Sequence, residues 1–181
     1  RDGLRVFVRD LERGSCWRLG GPDGAPAAVR ARAENGSVVL VHEQDGLVAE
    51  LETCTIPGRR AELRRLTLTD KSGSDRRLDV TTFVEVALND AAAHESHPGF
   101  SKLFVQTEAE PERGLLVARR RPRAPQETWP LLAHALGGNG ALEWDTDRLQ
   151  WWGRGRAGGR PAALAAGAAL GGTTGNVLDP V

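Results

Sequence analysis

Few residues in this sequence have the types and spacing that do chemistry, and most of those lie between positions 94 and 102. His94 and His97 stand three apart, as a metal pair would. A zinc site needs a third or fourth ligand at fixed spacing, and none is readable nearby. No metal is expected, and His97 is read as lining a pocket or holding its loop, against the plainer reading of an ordinary exposed histidine. Lys102 is one of only two lysines in the chain. Trp151 and Trp152 are adjacent, and sugar rings stack on exposed aromatic faces. On a strand, neighbouring side chains point to opposite faces, so one ring is expected inside. The other, Trp152 or Trp151, is then free to bind a glucan or to pack on another domain. Trp17, Trp129 and Trp144 are expected in the core.

Other candidates read more simply as structure. Asp145 and Asp147 lie two apart, and glycosidases use two carboxylates across a scissile bond. Here the pair flanks Thr146 in a turn, and turn formation is the natural reading. His42 and His134 fall within strand patterns and have no readable carboxylate partner. A sugar mutarotase acting through histidines is therefore the least favoured function. Arg119, Arg120 and Arg121, with Arg123 close by, face Glu108, Glu110 and Glu112 in sequence, which reads as a salt-bridged surface. Cys16 and Cys54 form no CxxC pair. Unpaired thiols are expected, in keeping with a cytoplasmic address. No catalytic residue and no cofactor is assigned.

The elements that must position these residues are strands. Residues 78–88 alternate, with Leu78, Val80, Val84, Val86 and Leu88 on one face and Asp79, Thr81 and Glu85 on the other. That two-residue period predicts a half-buried strand. A polar loop over 89–99 follows, and 100–108 alternates again as a second strand. A rigid scaffold presenting a polar loop is where function is expected. Upstream, short strands are expected over 3–11, 16–19, 29–33, 38–42, 47–55 and 61–69. Asn35-Gly36 and Asp45-Gly46 are hairpin turns, since both residues of each pair tolerate positive φ. Downstream, strands are expected over 115–121 and 129–136, with a hairpin joining 142–144 to 149–152. One or two helical turns fit 162–170. About ten short strands and no long amphipathic helix predict an all-β, antiparallel sandwich or barrel.

Length and composition set the outer limits. The 181 residues suffice for one domain with a sizeable core. Twenty-four basic and 24 acidic residues balance to zero, which argues against nucleic acid as the main partner. There is no apolar run of about 18 residues and no signal-peptide pattern at the start. The chain holds no methionine, so it is expected to be a piece of a longer protein. In this reading 1–181 is a single β-sandwich domain, whose glycine- and alanine-rich tail, 153–181, leads onward.

Four stretches carry a family resemblance: Val8-Arg9-Asp10-Leu11-Glu12, Arg65-Leu66-Thr67-Leu68-Thr69-Asp70-Lys71-Ser72-Gly73, His97-Pro98-Gly99-Phe100-Ser101-Lys102-Leu103-Phe104, and Gly172-Thr173-Thr174-Gly175-Asn176-Val177-Leu178-Asp179-Pro180. In this order they resemble the amino-terminal sandwich domain of the cellobiose and chitobiose phosphorylases (glycoside hydrolase family ninety-four). Within that family the phosphorylase-like module of cyclic β-1,2-glucan synthases is the nearest likeness.

The resemblance implies an antiparallel two-sheet supersandwich of the galactose-mutarotase type. It also implies a following α/α barrel that carries the catalytic acid while inorganic phosphate attacks the anomeric carbon. It implies that a sandwich loop with a Phe-polar-basic triplet, here Phe100, Ser101 and Lys102, reaches the sugar pocket. Relatives often have Gln-Arg where this chain has Ser101 and Lys102, and lysine offers a point charge without arginine's fork.

The expected function is thus a noncatalytic sandwich that shapes a β-glucan pocket, through His97, Phe100, Ser101, Lys102 and Trp152, in a glycosyltransferase or glycoside phosphorylase. The expected partners are a β-glucan oligosaccharide, phosphate in the intact enzyme and a second copy of the parent. Direct membrane contact is not expected, although other domains of the parent could attach it to the inner membrane. The alternative is a stand-alone carbohydrate-binding module that grips β-glucan through Trp152 or Trp151.

Overall fold

The computed structural model describes residues 3–21, 28–122, 124, 126, 128, 130–138, 140–154 and 160–181. Expectations that fall on Arg123, Trp129 and 155–159 lie outside them. The chain forms two compact units, one of Arg5–Thr82 and one of Arg1–Leu4 with Phe83–Val181. The described elements are mostly antiparallel strands with a few short helices, so the fold is all-β.

The first unit is built from hairpins. Strands β1 (Arg5–Asp10) and β2 (Cys16–Arg18) pair antiparallel, Val8 opposite Trp17. Strands β3 (Ala28–Glu34), β4 (Ser37–Gln44), β5 (Leu47–Thr55) and β6 (Glu62–Asp70) form a four-stranded meander in sequence order. The two dipeptides expected to turn do so. Asn35 and Gly36 have φ of 47° and 81°, and Asp45 and Gly46 have 53° and 74°, the left-handed geometry that a two-residue hairpin needs. Leu40 faces Leu51, and Leu51 faces Leu66, so one apolar row crosses three strands. Such cross-strand pairs are what stabilise a sheet. Trp17 is buried and lies 4.5 Å from the buried His42 ring, whose Nδ1 accepts the Gly20 N–H at 3.2 Å. His42 is thus a core group.

Strand β7 (Leu78–Phe83) joins β1 on the side away from β2. Leu11 N–H donates to Arg77 O and Arg9 bonds Asp79, a descending correspondence that runs the two strands antiparallel. The end of β1, the end of β6 and the segment leading into β7 meet in a polar hub. Buried Asp10 accepts from the N–H groups of Glu12 and Arg13, at 3.0 and 2.9 Å, and from Arg76 at 3.4 Å. Arg76 also pairs with Asp70 at 3.1 Å and donates to Asp45 O.

The second unit holds a three-stranded antiparallel sheet. Its central strand β9 (Leu115–Arg120) lies between β8 (Val105–Glu110) and β10 (Leu131–Ala135). Val86, Val105 and Ala118 pack together, with Leu88 and Leu132 against them. A 3₁₀ turn at Pro111–Arg113 closes the β8–β9 hairpin.

Several boundaries differ from the alternation in the sequence. The strand expected over 78–88 stops at Phe83, and Phe83 itself is buried. Two helices replace the polar loop and the start of the next strand: α1 (Ala91–Ser96) and α2 (Pro98–Lys102). Asp90 caps α1 by accepting from Ala93 N–H at 2.8 Å, and Pro98 opens α2, where its missing N–H costs nothing. The expected hairpin around Asp145 is instead a bend leading into α3 (Arg148–Trp152), capped by Asp147. The strand expected from 129 begins at Leu131, and the expected helical turns over 162–170 reduce to a 3₁₀ turn at Ala162–Leu164. Both cysteines are free thiols.

Candidate functional site

The 94–102 stretch is where the residue types pointed, and its helices give it a fixed base with an exposed tip. His97 links α1 to α2. Its N–H donates to Ala93 O at 3.3 Å, and its carbonyl accepts from Ser101 N–H at 2.9 Å. The His97 side chain is exposed, whereas His94 is half-buried, with Nδ1 enclosed and without a partner among the described residues. No group of three His, Cys, Asp or Glu capable of holding a metal ion occurs among the described residues.

Within α2 the five residues divide sharply. Phe100 is 59% exposed, while Ser101 and Lys102 are buried. The Phe100 ring meets Phe104 edge-on at 5.2 Å, and Phe104 in turn lies beneath the guanidinium groups of Arg120, at 5.2 Å, and Arg121, at 5.8 Å. Edge-on and cation–π contacts of this kind fix an aromatic ring without covering it. Ser101 Oγ accepts from Asn89 Nδ2 at 2.9 Å, and Arg120 donates to the Ser101 carbonyl. Arg120 is therefore a buried bracket for α2. Of the surface salt bridges expected for the arginine run, Arg119 makes one, with Glu108 at 3.5 Å. An open depression of about 560 Å³ lies beside this bracket, lined by Leu88, Asn89, Asp90, Arg120, Pro122, Thr128 and Pro130.

Lys102 sits in a four-residue ion-pair ring. Its Nζ lies 2.8 Å from Asp179 and 3.5 Å from Glu85; Arg148 pairs with Asp179 at 3.0 Å and with Glu85. Two cations meet two carboxylates, so the ring is neutral. Lys102 closes α2 and is 6% exposed.

The aromatic pair is also rearranged. Because α3 is a helix, Trp151 and Trp152 are not on opposite faces. Trp151 is buried and stacks on Phe83 at 4.9 Å; half-buried Trp152 meets Phe83 edge-on at 6.0 Å and Trp151 at 6.4 Å. Trp144 is half-buried rather than fully enclosed. The two aspartates are engaged locally: Asp145 accepts from Asp147 N–H, Gly171 N–H and Thr173 Oγ1, and Asp147 accepts from Leu149 N–H.

The glycine-rich end is tied down as well. Thr107 and Gly175 exchange backbone hydrogen bonds at 3.0 and 2.8 Å, Thr146 N–H donates to Thr173 O, and Arg148 N–H donates to Asp179 O. Residues 171–181 thus run as a strap along β8 and the 144–148 segment. Sequence reading missed Asp179, Arg148, Glu85 and Asn89. Asp179 lies inside one of the four motif stretches, and that was the available signal.

This arrangement is a supersandwich-type β unit with an aromatic tip on a braced loop. Over residues 1–181 the chain matches the family described as glycosyl hydrolase 94, supersandwich domain, and it belongs to that family. It is also 32% identical over 187 residues to the cyclic beta-(1,2)-glucan synthase NdvB of Rhizobium meliloti (strain 1021). That likeness takes in 100% of this chain and 7% of the relative, so the chain spans a small part of the relative's length. No helix among the described residues is long and apolar enough to cross a membrane.

Proposed function

We propose that this chain is the noncatalytic supersandwich of a larger glycoside phosphorylase-like or glucan synthase-like enzyme, forming one edge of a β-glucan pocket and supporting the catalytic α/α barrel. The observation that carries this reading is the division of α2. Phe100 is offered to solvent while Ser101 and Lys102, next in the helix, are buried. An aromatic face held in place is what a sugar ring stacks on, and preorganisation lowers the entropy lost on binding. Family membership and the likeness to a cyclic beta-(1,2)-glucan synthase support the substrate class. His97 stands beside Phe100 at the sugar edge, Trp152 is a secondary contact, and inorganic phosphate acts from the barrel side. In the parent the domain works as a single cytoplasmic module of a homo-oligomer.

The noncatalytic part of the reading is supported by Asp145 and Asp147, whose carboxylates are taken up by backbone and hydroxyl donors. The test is Phe100→Ala in a polypeptide extended past Val181. Oligosaccharide affinity should fall about tenfold or more, the loss of one aromatic stacking contact, with thermal stability unchanged. Unchanged affinity sinks the pocket-edge role.

A further inference from the structure

We propose that Asp179, seconded by Arg148, is a positioning residue for the α2 tip, so that the 171–181 strap sets where Phe100 stands. Any sugar contact by Phe100 rests on the function proposed above; the latch itself rests on geometry alone. Three observations converge on it. Lys102, the last residue of α2, is buried, and its shortest ion pair is to Asp179 at 2.8 Å. Asp179 is held by Arg148 twice, through Nε to its carboxylate and through the Arg148 N–H to its carbonyl, each at 3.0 Å. The rest of the strap is fixed to β8 by Thr107 and Gly175 and to the 144–148 segment by Thr146 and Thr173. A five-residue helix has too few internal hydrogen bonds to hold itself. Its orientation must come from what grips its residues, and on Lys102 at its C-terminal end the nearer grip is Asp179, at 2.8 Å against 3.5 Å for Glu85.

The contact is also selective in what it fixes. Phe100 and Leu103, on either side of the gripped pair, stay exposed, and so does Leu178, which is 80% exposed beside Asp179. The latch therefore locks backbone position while leaving the tip uncovered. A charge-assisted bond between a buried ammonium and a fixed carboxylate is stronger than a neutral one, and its loss should release α2 before anything else in the unit.

The experiment is amide hydrogen exchange on the 1–181 chain, comparing the parent sequence with Asp179→Asn, Asp179→Glu and the double variant Lys102→Met with Asp179→Leu. In Asp179→Asn, exchange over 98–104 should accelerate about tenfold, the loss expected for one charged hydrogen bond, while β3 to β6 keep their protection. Asp179→Glu should restore part of the slow exchange. The double variant, which removes both charges together, should exchange more slowly over 98–104 than Asp179→Asn. Unchanged exchange over 98–104, or acceleration shared equally by β8 and β9, would overturn the latch. In the extended polypeptide, accelerated exchange with unaltered oligosaccharide affinity would leave the latch standing and remove the sugar-edge reading instead.

Discussion

The guanidinium of Arg76 meets the carboxylate of Asp10, 66 positions away in sequence, and both side chains are almost wholly buried. Asp10 also holds the N–H groups of Glu12 and Arg13, and Arg76 also holds Asp70. Arg76, paired with both carboxylates, therefore ties the end of β1 to the end of β6. Removing one member of a buried pair leaves an uncompensated charge. Asp10→Ala should cost about 3 kcal/mol in unfolding free energy. Asp10→Asn should cost less, since an amide oxygen can still accept both N–H groups. Denaturant titration checks the order; equal costs would show that the charge pair, not the turn, carries the whole effect.

This hub also shows how much the sequence could say. Asp10 and Asp70 fall within two of the motif stretches that carry the family likeness, so their importance was legible, but not their reason. The pairing partner Arg76 lies outside every motif, and only folding brings it to both. Strand positions in the first unit were readable because alternation and Asn-Gly or Asp-Gly turns are local signals. In the second unit the local signal misled. Residues 84–88 and 100–104 alternate like strands, yet Pro98, the Asp90 cap and the grip on Lys102 from Glu85 and Asp179 settle 91–96 and 98–102 as two short helices. Trp151 and Trp152 likewise obey the Asp147 cap and the Phe83 stack, both invisible to periodicity. The Phe100 triplet was legible through the resemblance, whereas the brace beneath it was not.

Acid should weaken the turn that follows β6. The Asp70 carboxyl is held below the ordinary carboxylate range, chiefly because the Ser72 N–H donates to its charged form, with the Ser72 hydroxyl and Arg76 adding to this. A depressed folded-state value means the contribution to stability is complete above the unfolded-state value, about pH 4, and is lost as pH falls through the lower folded-state value. Asp70→Asn should therefore lower stability at neutral pH and flatten its decline on acidification. Parallel declines in the two proteins would contradict this.

Gly114 should tolerate no side chain. Its φ is +59°, its N–H closes the Pro111 turn, and its carbonyl accepts from Leu136 N–H. A methyl group there would run into the Leu136 carbonyl and the Leu142 side chain. Gly114→Ala combines left-handed strain with a clash against backbone, and should cost about 2 kcal/mol or more. Thermal unfolding would detect this; a loss below a few tenths would show that the β8–β9 turn can shift.

The two adjacent tryptophans should behave differently. Trp151 is 4% exposed and stacked on Phe83, so Trp151→Ala should cost about 3–5 kcal/mol. Half-buried Trp152 touches the same ring only edge-on, and Trp152→Ala should cost less than half as much. Equal losses would contradict the packing described for α3.

The most direct test of the central claim is calorimetric titration of 1–181 with β-linked gluco-oligosaccharides, with and without phosphate, beside a polypeptide extended past Val181. The account predicts no measurable binding by 1–181 and clear binding by the extended chain, lost on Phe100→Ala. Tight binding by 1–181 alone, abolished by Trp152→Ala and indifferent to Phe100→Ala, would contradict it and define a self-sufficient carbohydrate-binding module.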